Sequence, residues 1–280
     1  MIAHYLLIGI IVQGCFGFEP RVINGQSTKP HEFPHHVAIF IRKFPFIPEF
    51  LFCGGSIISP EWILTAGHCV PKIGSITVKA GKHYIDINES YQQNRHVIKS
   101  IVHEDFTGPS FSRKITSKND IALLKLESPL IYTDYIRPIA LPNYDEEISG
   151  YGEFCGWGAT STDLIPSFPN QLQKAEMEII NNDNCAALIN AGFLGDSILE
   201  FEIYSGQICA MYSPQNAGPC FIDNGSGFIQ YNETSLITTT SKIVGIFSWS
   251  RVPCGKDQGP AVFTRVSEFI NWIQNNIAEG

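Results

Sequence analysis

After its first 17 residues the sequence has no apolar run long enough to cross a bilayer as a helix, so a membrane-spanning helix is excluded. It has no pair of cysteines at the two-residue spacing of a zinc ribbon, which argues against a structural metal. It has no internal repeat and no low-complexity linker, so nothing marks a repeat array. Basic residues are outnumbered. The 19 Lys and Arg against 27 Asp and Glu leave a net charge of -8, which argues against nucleic acid and heparin-like polyanions as partners. No feature calls for a cofactor.

What is present suffices for one large or two small cores: 280 residues, 44% of them hydrophobic. Residues 1–17 read as a secretory leader, although its start lacks Lys or Arg. Tyr5 to Val12 is apolar but too short to span a membrane, and Cys15-Phe16-Gly17 offers a small-residue cleavage site. The expectation is a secreted, extracellular protein. Of the eight cysteines, Cys15 falls in the leader, and the seven that remain point to disulfides with one thiol left over.

Beyond the leader run short apolar segments bounded by Gly, Pro, Asn and Asp. Val37–Ile41, Trp62–Ala66, Ile76–Ala80, Ile121–Leu126, Ala175–Ile180, Ile243–Trp249 and Ala261–Arg265 read as strands. This spacing predicts an all-β sandwich or barrel. At the C-terminus Val266, Phe269, Ile270, Ile273 and Ile277 fall at helical spacing, with Ser267 as N-cap. The number of barrels does not follow from the pattern.

Four separated motifs resemble the chymotrypsin/trypsin-like serine proteases over residues 22–280. They are Leu64-Thr65-Ala66-Gly67-His68-Cys69, Asn119-Asp120-Ile121-Ala122-Leu123-Leu124-Lys125-Leu126, Gly156-Trp157-Gly158 and Ser248-Trp249. Their order, with a nucleophile loop last, is that family's order. The resemblance implies two antiparallel β-barrels with a cleft between them and the terminal helix packed outside. His68 would be the base and Asp120 the carboxylate that fixes its tautomer.

The nucleophile loop is Cys220-Phe221-Ile222-Asp223-Asn224-Gly225-Ser226, where the family pattern is Cys-x-Gly-Asp-Ser-Gly-Gly. Asn224 falls where the serine belongs, and an amide has no hydroxyl for an imidazole to deprotonate. The oxyanion donors would be the backbone N–H groups of Ile222 and Asn224. Ile222 stands in a glycine position, and a β-branched residue is poorly suited to glycine-type dihedrals. An alternative keeps activity: Ser226 is the nucleophile, displaced by a two-residue insertion after Cys220. The specificity-pocket positions fall on Gly218, Ser250 and Ala261, and the added side chains at the last two would narrow the entrance.

By the same resemblance, Arg21-Val22 is an activation cleavage site. Phe18–Arg21 is then a propeptide of four residues, too short for a regulatory domain ahead of the barrels. The freed Val22 amine would pair with Asp223. The family pairing joins Cys53 with Cys69, Cys185 with Cys209, and Cys220 with Cys254. Cys155 is left over, either buried and inert or bridged to another chain, with burial favoured. Asn88-Glu89-Ser90 and Asn232-Glu233-Thr234 read as loop glycosylation acceptors. Phe44, Phe46, Ile47, Phe50 and Phe52 crowd a Pro-interrupted hairpin whose tip is a candidate apolar patch.

The function expected from these residues is that of a secreted, catalytically deficient serine protease homologue. It would bind a peptide or protein partner, such as a protease or an inhibitor, with no nucleic acid or membrane involved. An active endopeptidase using Ser226 is the alternative.

Overall fold

Alternation between buried and exposed side chains decides how a strand sits on a barrel. In Gln173–Ile180, Gln173, Ala175 and Met177 are buried while Glu176 and Glu178 face out. In His36–Arg42 the first six side chains are all buried, because both faces are covered. The computed structural model describes residues 26–108, 114–115, 117–159, 168–191, 200–212, 219, 222–233, 239–250 and 259–280.

The N-terminal barrel contains β2 (His36–Arg42), β3 (Phe50–Ile57), β4 (Trp62–Thr65), β5 (Ser75–Ala80), β6 (Gln93–Val102) and β8 (Ala122–Leu126). Their order is β2-β3-β4-β8-β6-β5. The barrel closes where β5 returns to β2, in antiparallel register from Val37↔Ala80 to Arg42↔Ser75. The C-terminal barrel contains β9 (Gly150–Gly156), β10 (Gln173–Ile180), β12 (Gln207–Tyr212), β13 (Gly227–Glu233), β14 (Thr239–Ser250) and β15 (Ala261–Arg265). It closes through the pairing of β9 with β10, and β1 (Gln26–Ser27) extends it along β10. A short parallel pair, β7 (Lys114–Ile115) with β11 (Glu200–Phe201), links segments from the two halves. The fold is therefore all-β, with two antiparallel six-stranded barrels of the trypsin-like type.

Each barrel has its own core, and the first continues across the interface. Ile39, Ile63, Leu64, Val78 and Leu123 fill the N-terminal barrel, and Ile229, Ile243 and Ile246 of the other barrel join them. Four fully buried phenylalanines, Phe154, Phe228, Phe247 and Phe263, fill the C-terminal barrel. Their ring centroids lie 5.0–6.1 Å apart in four pairs, within the range where aromatic pairs attract.

Among the described residues, two α-helices pack outside the barrels. α2 (Ile270–Ala278) follows a 3₁₀ turn over Val266–Phe269 and buries Ile270 and Ile273. Ser267 is not its N-cap. Its hydroxyl donates to the Glu146 carbonyl at 3.1 Å and accepts from Arg265 Nε at 3.0 Å, and the helix starts without a side-chain cap. The first helix, α1 (Asn182–Ala191), is not expected from the sequence pattern. It buries only Cys185 and Ile189, too short a stripe to register as periodicity. A signal for it does exist: Asn181 Oδ1 accepts from the Asn184 N–H at 2.7 Å, as an N-cap does. Among the described residues no helix is long and apolar enough to cross a membrane.

Candidate active site

His68 lies in a 3₁₀ turn, Gly67–Cys69, directly after β4. The Cys53–Cys69 disulfide anchors that turn to β3. Asp120 stands ahead of β8, behind Asn119, whose φ of 54° is left-handed, a conformation that asparagine tolerates better than most residues. The turn holds because the Asn119 side chain donates to the Asp105 carbonyl at 3.1 Å, and its N–H donates to the Tyr204 hydroxyl at 2.5 Å.

These elements join His68 to Asp120. The Asp120 carboxylate accepts the His68 backbone N–H at 3.0 Å and His68 Nδ1 at 2.7 Å. It also accepts the Ser248 hydroxyl at 2.5 Å, while the Asp120 carbonyl takes the Thr264 hydroxyl at 2.8 Å. The carboxylate is buried and these donors offset the cost of burying its charge. A carboxylate only accepts, so it places the imidazole proton on Nδ1 and leaves Nε2 with a free lone pair. The His68 side chain is 27% exposed. Its Nε2 has Cys69 Sγ 3.9 Å away, and no hydrogen bond joins it to Asn224 or Ser226 among the described residues. The support from Ser248 and Thr264 was not assigned from sequence; the Ser248-Trp249 motif marked the place without naming the contact.

Backbone hydrogen bonds on both sides set the register of the nucleophile loop. The Gly54 N–H donates to the Asn224 carbonyl at 2.8 Å, and the Gly225 N–H donates to the Phe247 carbonyl at 2.9 Å. The Ser226 carbonyl in turn accepts from the Phe247 N–H at 2.9 Å. Gly225 has φ of 79°, and a side chain there would meet Thr65 Oγ1 at 2.2 Å and the Gly54 carbonyl at 2.6 Å. Asn224, just ahead of this tight turn, is half-buried. Ser226 is 1% exposed, and among the described residues its hydroxyl has no hydrogen-bond partner. That hydroxyl sits beside Gly54, where the two barrels meet, in the space a side chain at Gly54 would take.

Ile222 has φ of 76°, so the chain takes a left-handed turn with isoleucine in what the resemblance makes a glycine position. Such a residue persists only where its surroundings impose the conformation, at a cost of about 1–3 kcal/mol. The surroundings here include Asp223, fully buried beside it. The Asp223 carboxylate accepts the Gly158 N–H at 2.7 Å. It occupies space that any side chain at Gly156 or Gly158 would fill, with approaches of 1.9 and 2.1 Å. This explains physically why Gly156-Trp157-Gly158 carries two glycines.

The remaining sequence-derived positions fall as follows. Ser250 and Ala261 face each other across β14 and β15, and Gly218 lies outside the described residues. Arg21, Val22, Cys220 and Cys254 also lie outside them. Cys185 is bonded to Cys209. Cys155 is a buried free thiol on β9, and burial and then the Asp223 charge push its pKa up. Cys53, His68 and Cys69 place donor atoms within 4.8 Å of one another, but both sulfurs are in the disulfide, so no thiolate is offered to a metal. Asn88 is exposed on a loop. Asn232, expected on a loop, instead lies in β13 opposite Thr240.

Comparison with known proteins agrees with this geometry. The Trypsin family profile matches residues 22–273. Kallikrein-11 of Mus musculus is 29% identical over 263 residues, covering 94% of this chain and 84% of that protein. Kallikrein-8 of Rattus norvegicus is 28% identical over 259 residues, covering 92% and 87%. The solved structure of neuropsin, a serine protease expressed in the limbic system of mouse brain, matches with a TM-score of 0.71 at 26% identity. That match covers 90% of this chain and 98% of that one. With the profile spanning both barrels, the chain belongs to the trypsin-like serine protease family.

Proposed function

We propose that this is a secreted serine protease homologue that does not turn over peptide bonds and acts by binding a peptide or protein partner, such as a protease or an inhibitor. In this reading residues 1–17 are the leader, 18–21 the propeptide and 22–280 the protease-like domain. Asn88 and Asn232 are glycosylation acceptors. Cleavage after Arg21 frees the Val22 amine to pair with Asp223, and Gly218, Ser250 and Ala261 line a narrowed pocket.

The observation that carries the reading is the hydrogen bond from the Gly54 N–H to the Asn224 carbonyl, at 2.8 Å. It supports Asn224 as the residue at the nucleophile position, where an amide offers nothing for His68 to activate. Losing the nucleophile of a triad costs a factor of ~10⁶ in turnover, whatever His68 and Asp120 retain. The competing reading makes Ser226 the nucleophile. Against it stands the burial of Ser226, whose hydroxyl is enclosed by the barrel interface and makes no hydrogen bond to a base.

Turnover of peptide esters and amides by protein cleaved after Arg21, compared with His68→Ala, tests the proposal. Equal background rates are expected. A rate well above the His68→Ala control would return the protein to the active proteases.

A further inference from the structure

Two departures from the family pattern fall two residues apart in the nucleophile loop. Asn224 stands where the pattern has serine, and Ser226 stands where it has the last glycine. Either change alone would be an isolated substitution. Together, with Gly225 between them, they spell Asn-Gly-Ser, an N-glycosylation acceptor motif with no proline in its middle. Asn88-Glu89-Ser90 and Asn232-Glu233-Thr234 carry the same motif, but neither coincides with a position that the catalytic scaffold uses.

The folded chain gives the Ser226 hydroxyl no task that would explain it. The residue is 1% exposed, and Oγ has no hydrogen-bond partner among the described residues, so the hydroxyl lowers stability. It also demands glycine at position 54, where a side chain would meet Oγ at 2.0 Å. A hydroxyl that burdens the fold yet completes a motif is explained if it is read before folding. Glycosylation acceptors are read on the unfolded chain as it enters the secretory path, so the later burial of Ser226 is no obstacle. Asn224 is placed differently. Its carbonyl is held by the Gly54 N–H at 2.8 Å, but its side-chain amide makes no hydrogen bond among the described residues. The residue is half-buried, not enclosed. The His68 side chain is 27% exposed, and its Nε2 has only Cys69 Sγ, 3.9 Å away.

We propose that Asn224 is N-glycosylated and that its glycan fills the cleft in front of His68. Asn224 Nδ2 attacks the anomeric carbon of an oligosaccharide carried on a lipid pyrophosphate, the donor of the secretory path. The N–C bond forms and the C–O bond to phosphate breaks. The amide gives up one proton, the lipid pyrophosphate leaves, and nothing is oxidised or reduced. The amide that replaces the nucleophile is then also the anchor that closes the cleft, and a partner docks outside it. The proposal rests on the reading of this chain as secreted with Asn224 at the nucleophile position.

The test expresses the full-length protein, with its own leader, in animal cells that retain oligomannose glycans. Lysate and medium are digested with endoglycosidase H and chymotrypsin. The glycosidase leaves one N-acetylglucosamine on each occupied asparagine, a mark that deamidation at Asn224-Gly225 does not mimic. Cleavage after Phe221 and Phe228 separates Asn224 from Asn232. Mass spectrometry should find the sugar on the 222–228 peptide of the wild type and of Ser226→Thr. It should be lost completely in Ser226→Ala, whose Asn224 is unchanged. Transfer precedes folding, so the lysate gives the result even for a variant that does not fold. In secreted protein, diethyl pyrocarbonate should modify His68 at least about threefold more slowly in the wild type than in Ser226→Ala, because a glycan is bulky. Asn224→Gln takes the place of Ser226→Ala if the latter is not secreted. A bare Asn224 in the wild type overturns the proposal; if Asn88 carries the sugar in the same sample, the secreted reading survives that failure. Equal His68 reactivity in a wild type that carries the sugar also overturns it, because the glycan then lies outside the cleft. Fluorophosphonate labelling tests the loss of the nucleophile separately.

Discussion

Gly54 and Ser226 are fitted to each other across the barrel interface: a methyl group on Gly54 would sit 2.0 Å from Ser226 Oγ and 3.0 Å from His36 Cε1. The hydroxyl fills the space of the absent side chain and has no polar partner there among the described residues. Gly54→Ala should therefore cost about 1–3 kcal/mol by overpacking. Adding Ser226→Gly should recover part of that loss, with the His36 contact accounting for the rest. Ser226→Ala alone should leave stability unchanged or raise it by about 1 kcal/mol, because a buried unpaired hydroxyl is removed. Urea unfolding of the three variants measures these effects. A Ser226→Ala variant several kcal/mol less stable would show that the hydroxyl has a partner.

Ile222 holds a left-handed turn at φ of 76°. Truncation to alanine and to glycine removes the same packing, but only alanine retains the left-handed cost. Ile222→Gly should thus be more stable than Ile222→Ala by about 1 kcal/mol. Equal stabilities in a denaturant titration would mean that the turn relaxes once isoleucine is gone.

Two adjacent buried histidines give the stability a pH dependence. Burial pushes the His35 imidazole down to about 4. Burial, and then the neighbouring His35, push His36 down to about 3, with the Gly55 backbone acting weakly the other way. Unfolded, both titrate near the ordinary 6.5. Between those values the unfolded chain binds protons that the native chain does not, so stability falls as pH drops below about 6.5. Each histidine contributes a slope of up to about 1.4 kcal/mol per pH unit, down to about pH 4 for His35 and about pH 3 for His36. His36→Gln should flatten the curve in that window while changing little above pH 7. Parallel curves for the two proteins would show that His36 titrates normally in the fold.

The proposed activation pair has its own test. Cleavage after Arg21 is expected to slow amide exchange in residues 222–228, because a buried ammonium beside Asp223 stabilises that loop. Asp223→Asn should abolish the slowing. Identical exchange in cut and uncut protein would leave Arg21-Val22 without a switching role.

Much of this was legible in the sequence because it is local. Short apolar runs rich in β-branched residues, such as Val37–Ile41, read as strands, and β2 follows that reading. β6 was not legible, because most of its side chains are polar or exposed and its position is set by pairing with β5 and β8. α1 was hidden for the reason already given, a stripe of two residues. At the site, the motifs located His68, Asp120 and the loop around Asn224. Their order in the chain could not show that Ser248 donates to Asp120 across 128 residues, or that Gly54 makes room for Ser226. Nor could residue preferences foretell the dihedral of Ile222, since tertiary contacts overrode them.

Whether the cleft retains a nucleophile is decided most directly by labelling. Full-length protein, cleaved after Arg21, is incubated with a fluorophosphonate that forms a covalent bond to any activated serine, and its intact mass is recorded. With Asn224 at the nucleophile position and Ser226 enclosed, the mass should be unchanged, as it should be for His68→Ala. A stoichiometric adduct that maps to Ser226 and disappears in His68→Ala would contradict this and identify an active protease.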